Sequence, residues 1–387
     1  MGGGVQRYSK TEADFPLTQK LSTPITEETS RRITALRFLL IVLVVFIHNC
    51  YTNETIQNII DSGGVPPVFV ENAFGRWVKL FITYGIARAA VPLFFMFAAF
   101  LQAKKSDSYP ILLKKRTKSL LLPYIIWMGL IVFYYGGLKL IILKIRPSLI
   151  HNPENTILSW TLTNWIHNTI GYGQTNWPAL SAQFWFVRDL MILVLISPVL
   201  KWLVQNFPIG FLFFVTAVYA VPVQLYLVVS QALFFYVLGL YCGMYDIPLF
   251  ETVDKISWKE SFVLYLLAFF YTYTLGKGDH STEHYFMVIS SCVILSKFSA
   301  LIVRHEKLYA LASYLAGFSF FLFALHAPVL NGIVSKVWIR FFPMKNTFFC
   351  LLQYFVPTFI VIAIGTGVGI ALKKIWLPLF RLLNGGR

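Results

Sequence analysis

Long apolar runs separated by short polar or basic segments dominate the chain. The first run, Ile33–Cys50, follows directly after Arg31 and Arg32. A run of about 20 apolar residues is long enough to cross the hydrocarbon core of a bilayer as a helix. Further runs of this kind lie at Trp77–Ala103, Ser119–Leu143, 183–203, 208–229, 231–246, 260–276, 285–303, 309–335 and 347–372. The pattern therefore predicts an all-α polytopic membrane protein, a bundle of about ten transmembrane helices.

The basic residues cluster between these runs, and their distribution predicts the orientation of the bundle. With an even number of spans, both termini lie on one side of the membrane. The basic clusters on that side are 31–32, 104–118, 304–307 and 373–381. Cytoplasmic loops carry an excess of Lys and Arg, so this side is predicted to be the cytoplasm. Lys336, Arg340 and Lys345 fall on the opposite side and are the main exceptions.

The composition supports this interpretation and excludes several classes of protein. Hydrophobic residues make up 57% of the chain and charged residues only 13%, whereas soluble domains carry about a quarter charged residues. Disordered chains, fibrous repeats and ordinary soluble enzymes are therefore excluded. The net charge is +16, but the basic residues border apolar runs, so membrane lipid and not nucleic acid is the expected partner. The four cysteines show no CxxC spacing, so neither a disulfide framework nor a zinc site is predicted.

Three parts of the chain follow from these patterns. We expect a mobile cytoplasmic tail at 1–30, a membrane-embedded domain at 31–375 and a cytoplasmic basic tail at 376–387. The polar residues 1–30 contain no short apolar core followed by a cleavage site, so no cleavable signal peptide is expected. The predicted location is the inner (plasma) membrane, which the chain crosses many times.

Two polar residues in the first run stand out because everything between them is apolar. Arg37 and His48 share one helix face, since eleven positions complete three turns plus roughly 20°. They lie about 16 Å apart along the helix axis at 1.5 Å per residue. An arginine inside a membrane helix is costly and should face protein or a water-filled cavity. The alternative is that Arg37 snorkels to the inner interface and His48 is a polar residue at the outer end.

Further segments complete a pattern with this first helix. They are Val91–Leu101, Lys115–Lys118 followed by Pro123 and Tyr124, Phe184–Arg188, and Ser319–His326. Together with Arg37 and His48, in this order and spacing, they resemble the acyltransferase-3 family of integral membrane acyltransferases over about residues 31–375. One departure is Ala98-Ala99, which stands where the family has Ser-Gly. The resemblance implies transfer of an acyl group, with acetyl as the first expectation, from acyl-CoA to a hydroxyl of a surface or exported glycan or glycolipid.

The resemblance also implies roles for particular residues. His48 is expected to be catalytic, either as the general base for the acceptor hydroxyl or as the acylated residue of a ping-pong reaction. Arg37 is expected to be a second catalytic residue and a phosphate ligand toward the cytoplasmic side. The residues expected to bind substrate are Arg188 (a donor to the oxyanion), Trp185, His326, Lys115, Arg116 and Lys118. The predicted topology places His48, Trp185, Arg188 and His326 at one depth near the outer face, and Arg37, Arg116 and Lys118 toward the cytoplasm. No metal and no bound cofactor are expected, because acyl-CoA acts as a substrate.

Other functions stay open at this point. A transporter or translocase of a lipid-linked sugar or anionic solute would use Arg37 and His48 to bind or gate its cargo. The HxxEH pattern from His280 to His284 is typical of one metallopeptidase class, but it lies in a short polar loop without an evident third ligand. The tryptophans Trp160, Trp165 and Trp177 can form an interfacial belt or stack on sugar rings.

Overall fold

A computed structural model describes residues 24–49, 72–146, 157–171, 178–221, 225, 227–275 and 282–386. Throughout these residues the chain forms helices, turns and loops, and no strand occurs among them. The helices are α1 (Glu27–His48), α2 (Ala73–Ala103), α3 (Tyr109–Ile145), α4 (Leu162–Thr169), α5 (Trp185–Leu195), α6 (Ser197–Asn206), α7 (Pro208–Ala220), α8 (Ser230–Met244), α9 (Leu249–Asp254), α10 (Trp258–Phe270), α11 (Thr282–Arg304), α12 (Glu306–Ala316), α13 (Ser319–Phe341), α14 (Thr347–Ile375) and α15 (Leu377–Leu383). The all-α class predicted from the sequence is therefore confirmed.

Five helices of the described chain are long and apolar enough to cross a membrane. They are α2, α3, the His284–Arg304 part of α11, α13 and α14. The apolar helices α7 and α8 are shorter, and α1 carries three arginines over its length. The total of about ten spans and the side on which the termini lie stay predictions.

Helix α1 lies at the centre of the bundle, packed against α2, α11, α12, α13 and α14. It begins at Glu27, earlier than the apolar run, because the side chain of Thr26 accepts a hydrogen bond from the backbone of Thr29. Leu36, Leu40 and Val44 recur four residues apart and are buried on one face. This central position means that polar groups on α1 face protein on most sides.

Two predicted spans are interrupted. The predicted span 183–203 is split into two helices. Helix α5 ends at Leu195, and α6 begins at Ser197 with Pro198 in its first turn. Proline has no backbone N–H and its ring clashes with the carbonyl four residues earlier, so Pro198 cannot continue the first helix but fits the first turn of the next one. The predicted span 309–335 is divided between α12 and α13 at Gly317 and Phe318, and α13 continues to Phe341.

The two ends of the described chain meet on the short helix α12. Arg31 at the start of α1 forms an ion pair with Glu306 at 2.5 Å and stacks on Tyr309. At the other end of α12, Asn384 donates a hydrogen bond to the carbonyl of Gly317. Helix α12 covers about 16 Å at 1.5 Å per residue. The start of α1 and the segment after α15 therefore lie close together, and residues 377–384 pack on the bundle.

Candidate functional site

The imidazole rings of His48 and His326 lie in contact, with centroids 5.1 Å apart and an interplanar angle of 58°. His326 is fully buried, and its Nδ1 lies 2.6 Å from the carbonyl oxygen of Phe323. A nitrogen facing a carbonyl oxygen must carry the proton, so in the neutral ring Nε2 is the acceptor. Nε2 is buried without a hydrogen-bond partner. The pair thus presents a buried basic nitrogen at the end of α1.

Polar contacts fix the end of α1 against α13 and α14. Asn331 donates from its side chain to the backbone carbonyl of His48 at 2.5 Å. The next residue, Asn49, is buried and donates to the hydroxyl of Thr358 at 2.7 Å, while Ser335 donates to the Asn49 side-chain oxygen at 2.9 Å. Since these contacts involve two other helices, they hold His48 in place relative to His326. Asn49 and Asn331 are neighbours of the histidine pair that the sequence analysis did not identify.

Helix α13 changes direction next to His326, where Ala327 has extended backbone angles. The side chain of Gln183 donates a hydrogen bond to the carbonyl of Ala327. Gln183 immediately precedes the Phe184–Arg188 segment, and Phe184 and Phe186 both contact the ring of Phe323. Trp185 contacts Phe95 on α2 at 6.1 Å. The structure therefore brings the start of α5 next to the histidine pair.

Arg188 is buried and its guanidinium is fully engaged. Its Nε and Nη2 donate to one oxygen of Asp189 at 2.8 and 2.7 Å. Its Nη1 donates to the carbonyls of Ile170 and Gly171 at 2.9 and 3.3 Å. The other oxygen of Asp189 accepts from the backbone of Val229. The contacts show Arg188 anchoring the segment after α4, and its role as an oxyanion donor stays a prediction.

Two other arginines carry positive charge near or along α1. Arg37 is half-buried, and among the described residues it forms no salt bridge. An intramembrane cation of this kind is normally paired or facing a polar cavity. Arg88 stacks on Tyr84 at 4.7 Å and belongs to the turn Ile86–Ala89 of α2, which packs directly against α1.

A basic cavity of about 230 Å³ lies at the beginning of α3. Gln102 of α2 and Asp107 of the preceding loop line it. Four cationic side chains complete the lining, those of Lys105, Lys115, Arg116 and Lys201. Lys115 forms an ion pair with Asp107 at 2.6 Å, and this hydrogen bond lowers the pKa of the Asp107 carboxyl. Lys118 is exposed and does not line the cavity. Two of the three predicted phosphate ligands of this loop therefore share one cavity.

Gln102 gives this cavity a buried donor. The residue is almost fully buried, and its Oε1 accepts a hydrogen bond from Tyr236 at 2.9 Å. Its Nε2 has no hydrogen-bond partner. An unsatisfied buried donor costs about 1–3 kcal/mol. A cavity with several cations and such a donor is suited to an anion with several acceptor oxygens, such as a phosphate group.

The metallopeptidase pattern is only partly within the described chain. His280 lies outside it, and His284 is buried near the start of α11. Among the residues that the structure describes, no group of three His, Cys, Asp or Glu could hold a metal ion.

Comparison with known proteins agrees with the arrangement of these segments. The acyltransferase-3 family model, described as an acyltransferase domain, matches residues 31–373. The succinoglycan biosynthesis protein ExoH of Rhizobium meliloti (strain 1021) is 23% identical over 371 residues, which cover 92% of each chain. No solved structure matches this chain significantly. Because the family model spans nearly the whole bundle, including the histidine pair, the chain belongs to the acyltransferase-3 family and is an acyltransferase enzyme.

Proposed function

We propose that this enzyme transfers an acyl group, with acetyl as the first candidate, from acyl-CoA to a hydroxyl of a surface or exported glycan. The observation that carries the proposal is the contact of His48 with His326 at the end of α1. The relative named as a succinoglycan biosynthesis protein supports a glycan or glycolipid as the acceptor. The proposed location is the inner membrane, with about ten spans and both termini in the cytoplasm.

The proposed step is direct transfer with His48 as general base. The acceptor hydroxyl loses its proton to His48 while its oxygen forms a bond to the thioester carbonyl carbon. The tetrahedral intermediate then collapses as the carbon–sulfur bond breaks, and the CoA sulfur takes the proton from His48. Arg88, in the turn of α2 that packs against α1, supplies positive charge for the developing oxyanion. His326 orients His48 and offers its unpartnered Nε2 as a second acceptor.

The basic cavity is the proposed site for the phosphates of the donor. Its cations and the Nε2 of Gln102 match the charge and the acceptor oxygens of a nucleotide phosphate. The cavity lies at the start of α3, within the basic cluster 104–118. This cluster marks the predicted cytoplasmic side. Arg37 lies along α1 between the chain terminus and His48, where it can neutralise the donor inside the bundle.

The test is O-acyl content of the surface glycan, measured by NMR in a deletion strain. The strain is complemented with wild type, His48→Ala, or His305→Ala, an exposed histidine outside the site, at equal membrane levels. We expect wild type and His305→Ala to restore the O-acyl signal and His48→Ala to leave it absent. Full restoration by His48→Ala would remove the catalytic assignment. No change with any protein would favour the transporter.

Purified protein separates the two acyl-transfer routes. With radiolabelled acetyl-CoA and no acceptor, direct transfer predicts no burst of covalently labelled protein. A stoichiometric burst that is lost in His48→Ala would instead establish an acyl-enzyme.

A further inference from the structure

A second cavity lies at the far end of α3 and belongs to none of the sites described above. Its volume is about 380 Å³, in the range of small-molecule sites. It is formed between the last third of α3, the short helix α4 and the segment that leads into α5. The polar and aromatic side chains that line it include Trp160, Asn164, His167, Asn168 and Lys139.

These side chains have the chemistry that binds a sugar ring. The ring of Trp160 is held by an edge-to-face contact with Trp165 at 4.9 Å. An aromatic face suits the apolar C–H face of a pyranose, while amide and imidazole groups suit its hydroxyls. The hydroxyl of Thr161 donates a hydrogen bond to the side-chain oxygen of Asn164. The side-chain nitrogen of Asn164 can therefore donate a hydrogen bond to a ligand. Asn168 and His167 lie on the same short helix.

The backbone around this cavity is tied to the histidine pair. The carbonyls of His167 and Asn168 accept hydrogen bonds from Ala179 and Leu180. Three residues after Leu180, which also lines the cavity, Gln183 reaches the carbonyl next to His326. Arg188 holds the residues just after α4 through the carbonyls of Ile170 and Gly171, as described above.

The two cavities lie at opposite ends of one membrane-spanning helix. Arg116 lines the basic cavity and Lys139 lines the second one, and both belong to α3. They are separated by about 35 Å along the helix at 1.5 Å per residue. The hydrocarbon core of a bilayer is about 30 Å thick. The second cavity therefore opens at the membrane face opposite the basic one.

We propose that this second cavity, lined by Trp160, Asn164, His167 and Asn168, is the acceptor subsite that binds a pyranose unit of the glycan beside the histidine pair. This inference rests on the proposed function, since it assigns a place to the acceptor of that reaction. The segment from Pro178 to Gln183 positions the sugar relative to His326. Arg188 is in this view a positioning residue that acts through the backbone after α4.

The first experiment measures acceptor kinetics with purified enzyme in nanodiscs. Radiolabelled acetyl-CoA is the acyl donor, and the acceptor is alkali-deacylated surface polysaccharide from the deletion strain. We expect Trp160→Ala and Asn164→Ala to raise the KM for polysaccharide about tenfold, as truncating an anchoring side chain does. The kcat and the KM for the donor stay within about twofold. Trp202→Ala, an exposed tryptophan on α6, is the matched control.

A binding experiment without donor keeps the subsite testable if the transfer reaction itself fails. Saturation-transfer NMR with the same polysaccharide is recorded on His48→Ala protein and on His48→Ala with Trp160→Ala. We expect a signal in the first and its loss in the second. Equal signals in both, no signal in either, or an equal loss with Trp202→Ala would overturn the subsite. Failure of acyl transfer with binding retained would overturn only the proposed reaction.

Discussion

The ring of His48, at the end of α1, contacts the ring of His326, in the middle of α13, at 5.1 Å between centroids. The two helices are far apart in sequence, and the contact forms where Asn331 of α13 also binds the carbonyl of His48. A pair in which one imidazole has a fixed tautomer and an unpartnered nitrogen can accept a proton from a hydroxyl. The relationship makes the pair, and not His48 alone, the unit to be tested.

Replacing either histidine is expected to remove most of the activity. General base catalysis contributes about 10²–10⁴-fold, so His48→Ala should lower kcat by that factor. Because the two rings act together, His326→Ala should cost a similar factor, and the double variant little more than either alone. Steady-state transfer in nanodiscs checks this, with His305→Ala as the control. Losses that multiply in the double variant would show that the residues act independently.

Replacing Arg37 tests whether this cation binds the acyl donor or only anchors α1 at the membrane interface. If it neutralises the donor inside the bundle, Arg37→Gln should raise the KM for acyl-CoA about tenfold or more and leave the KM for the glycan unchanged. The control is Arg146→Gln, an exposed arginine at the end of α3. Unchanged donor kinetics for Arg37→Gln would mean that its side chain only reaches the interface.

Gln102 tests the basic cavity as the donor site. Gln102→Glu keeps the oxygen that accepts the hydrogen bond from Tyr236. It replaces the buried amide N–H group with an oxygen that repels phosphate. We expect the KM for acyl-CoA to rise about 10- to 100-fold, because a hydrogen bond to a charged group contributes about 1.5–3 kcal/mol. Gln205→Glu, at an exposed position of α6, should leave the KM unchanged. An unchanged donor KM in Gln102→Glu would place the phosphates elsewhere.

The sequence predicted more of the histidine pair than of the cavities. Helical periodicity and the predicted topology placed His48 and His326 at one depth, and the structure brings their rings together. Their catalytic role stays a prediction. The partners of Asn49 and the direction of the Gln102 amide depend on which helices pack together, and a single sequence does not specify this. No residue pattern around α4 indicated that Trp160 and Asn168 line one cavity.

The helix breaks show a similar division. Pro198 carried a local signal that was present in the sequence, because a proline inside a helix loses one backbone hydrogen bond and clashes with the preceding turn. Gly317 carried a weaker one, since an isolated glycine is tolerated in a membrane helix. The apolar run around it was therefore assigned to one span, although α12 ends at Ala316 and Asn384 donates a hydrogen bond to the carbonyl of Gly317.

The buried Arg32 gives a prediction for stability and its dependence on pH. Arg32 donates to both oxygens of Asp254 at 2.5 and 3.0 Å, and this hydrogen bond lowers the pKa of Asp254 below its usual value of 3.8. Since the folded pKa is depressed, the stabilisation is present above the unfolded pKa of about 3.9. It is lost as the pH falls through the folded value.

We therefore expect Asp254→Asn to lower the free energy of unfolding by about 2 kcal/mol near neutral pH, because Arg32 loses a charged partner. The midpoint of thermal unfolding in detergent checks this between about pH 7 and pH 3. The difference from wild type should shrink as the pH falls below about 4. Glu251→Gln, an exposed carboxyl on the same helix, is the control. A difference that is constant with pH would mean that the ion pair is not its cause.

The close packing of α8 on α2 gives the last prediction. Gly239 and Gly243 are four residues apart, a spacing that lets membrane helices approach closely. A Cβ at Gly239 would lie 2.2 Å from the carbonyl oxygen of Met96, which belongs to the backbone and cannot rotate away. Gly239→Ala should therefore force the helices apart and destabilise the protein by about 1–3 kcal/mol.

A matched substitution separates this clash from the general effect of alanine. Gly367 lies inside α14, and a Cβ there meets no atom within 4 Å. Alanine is a better helix former than glycine, so Gly367→Ala should be neutral or stabilise by up to about 1 kcal/mol. The measurement is the thermal unfolding midpoint of both purified variants, together with their yield in membranes. Equal midpoints for the two variants would show that α2 and α8 can separate without cost, which is incompatible with the close contact at Met96.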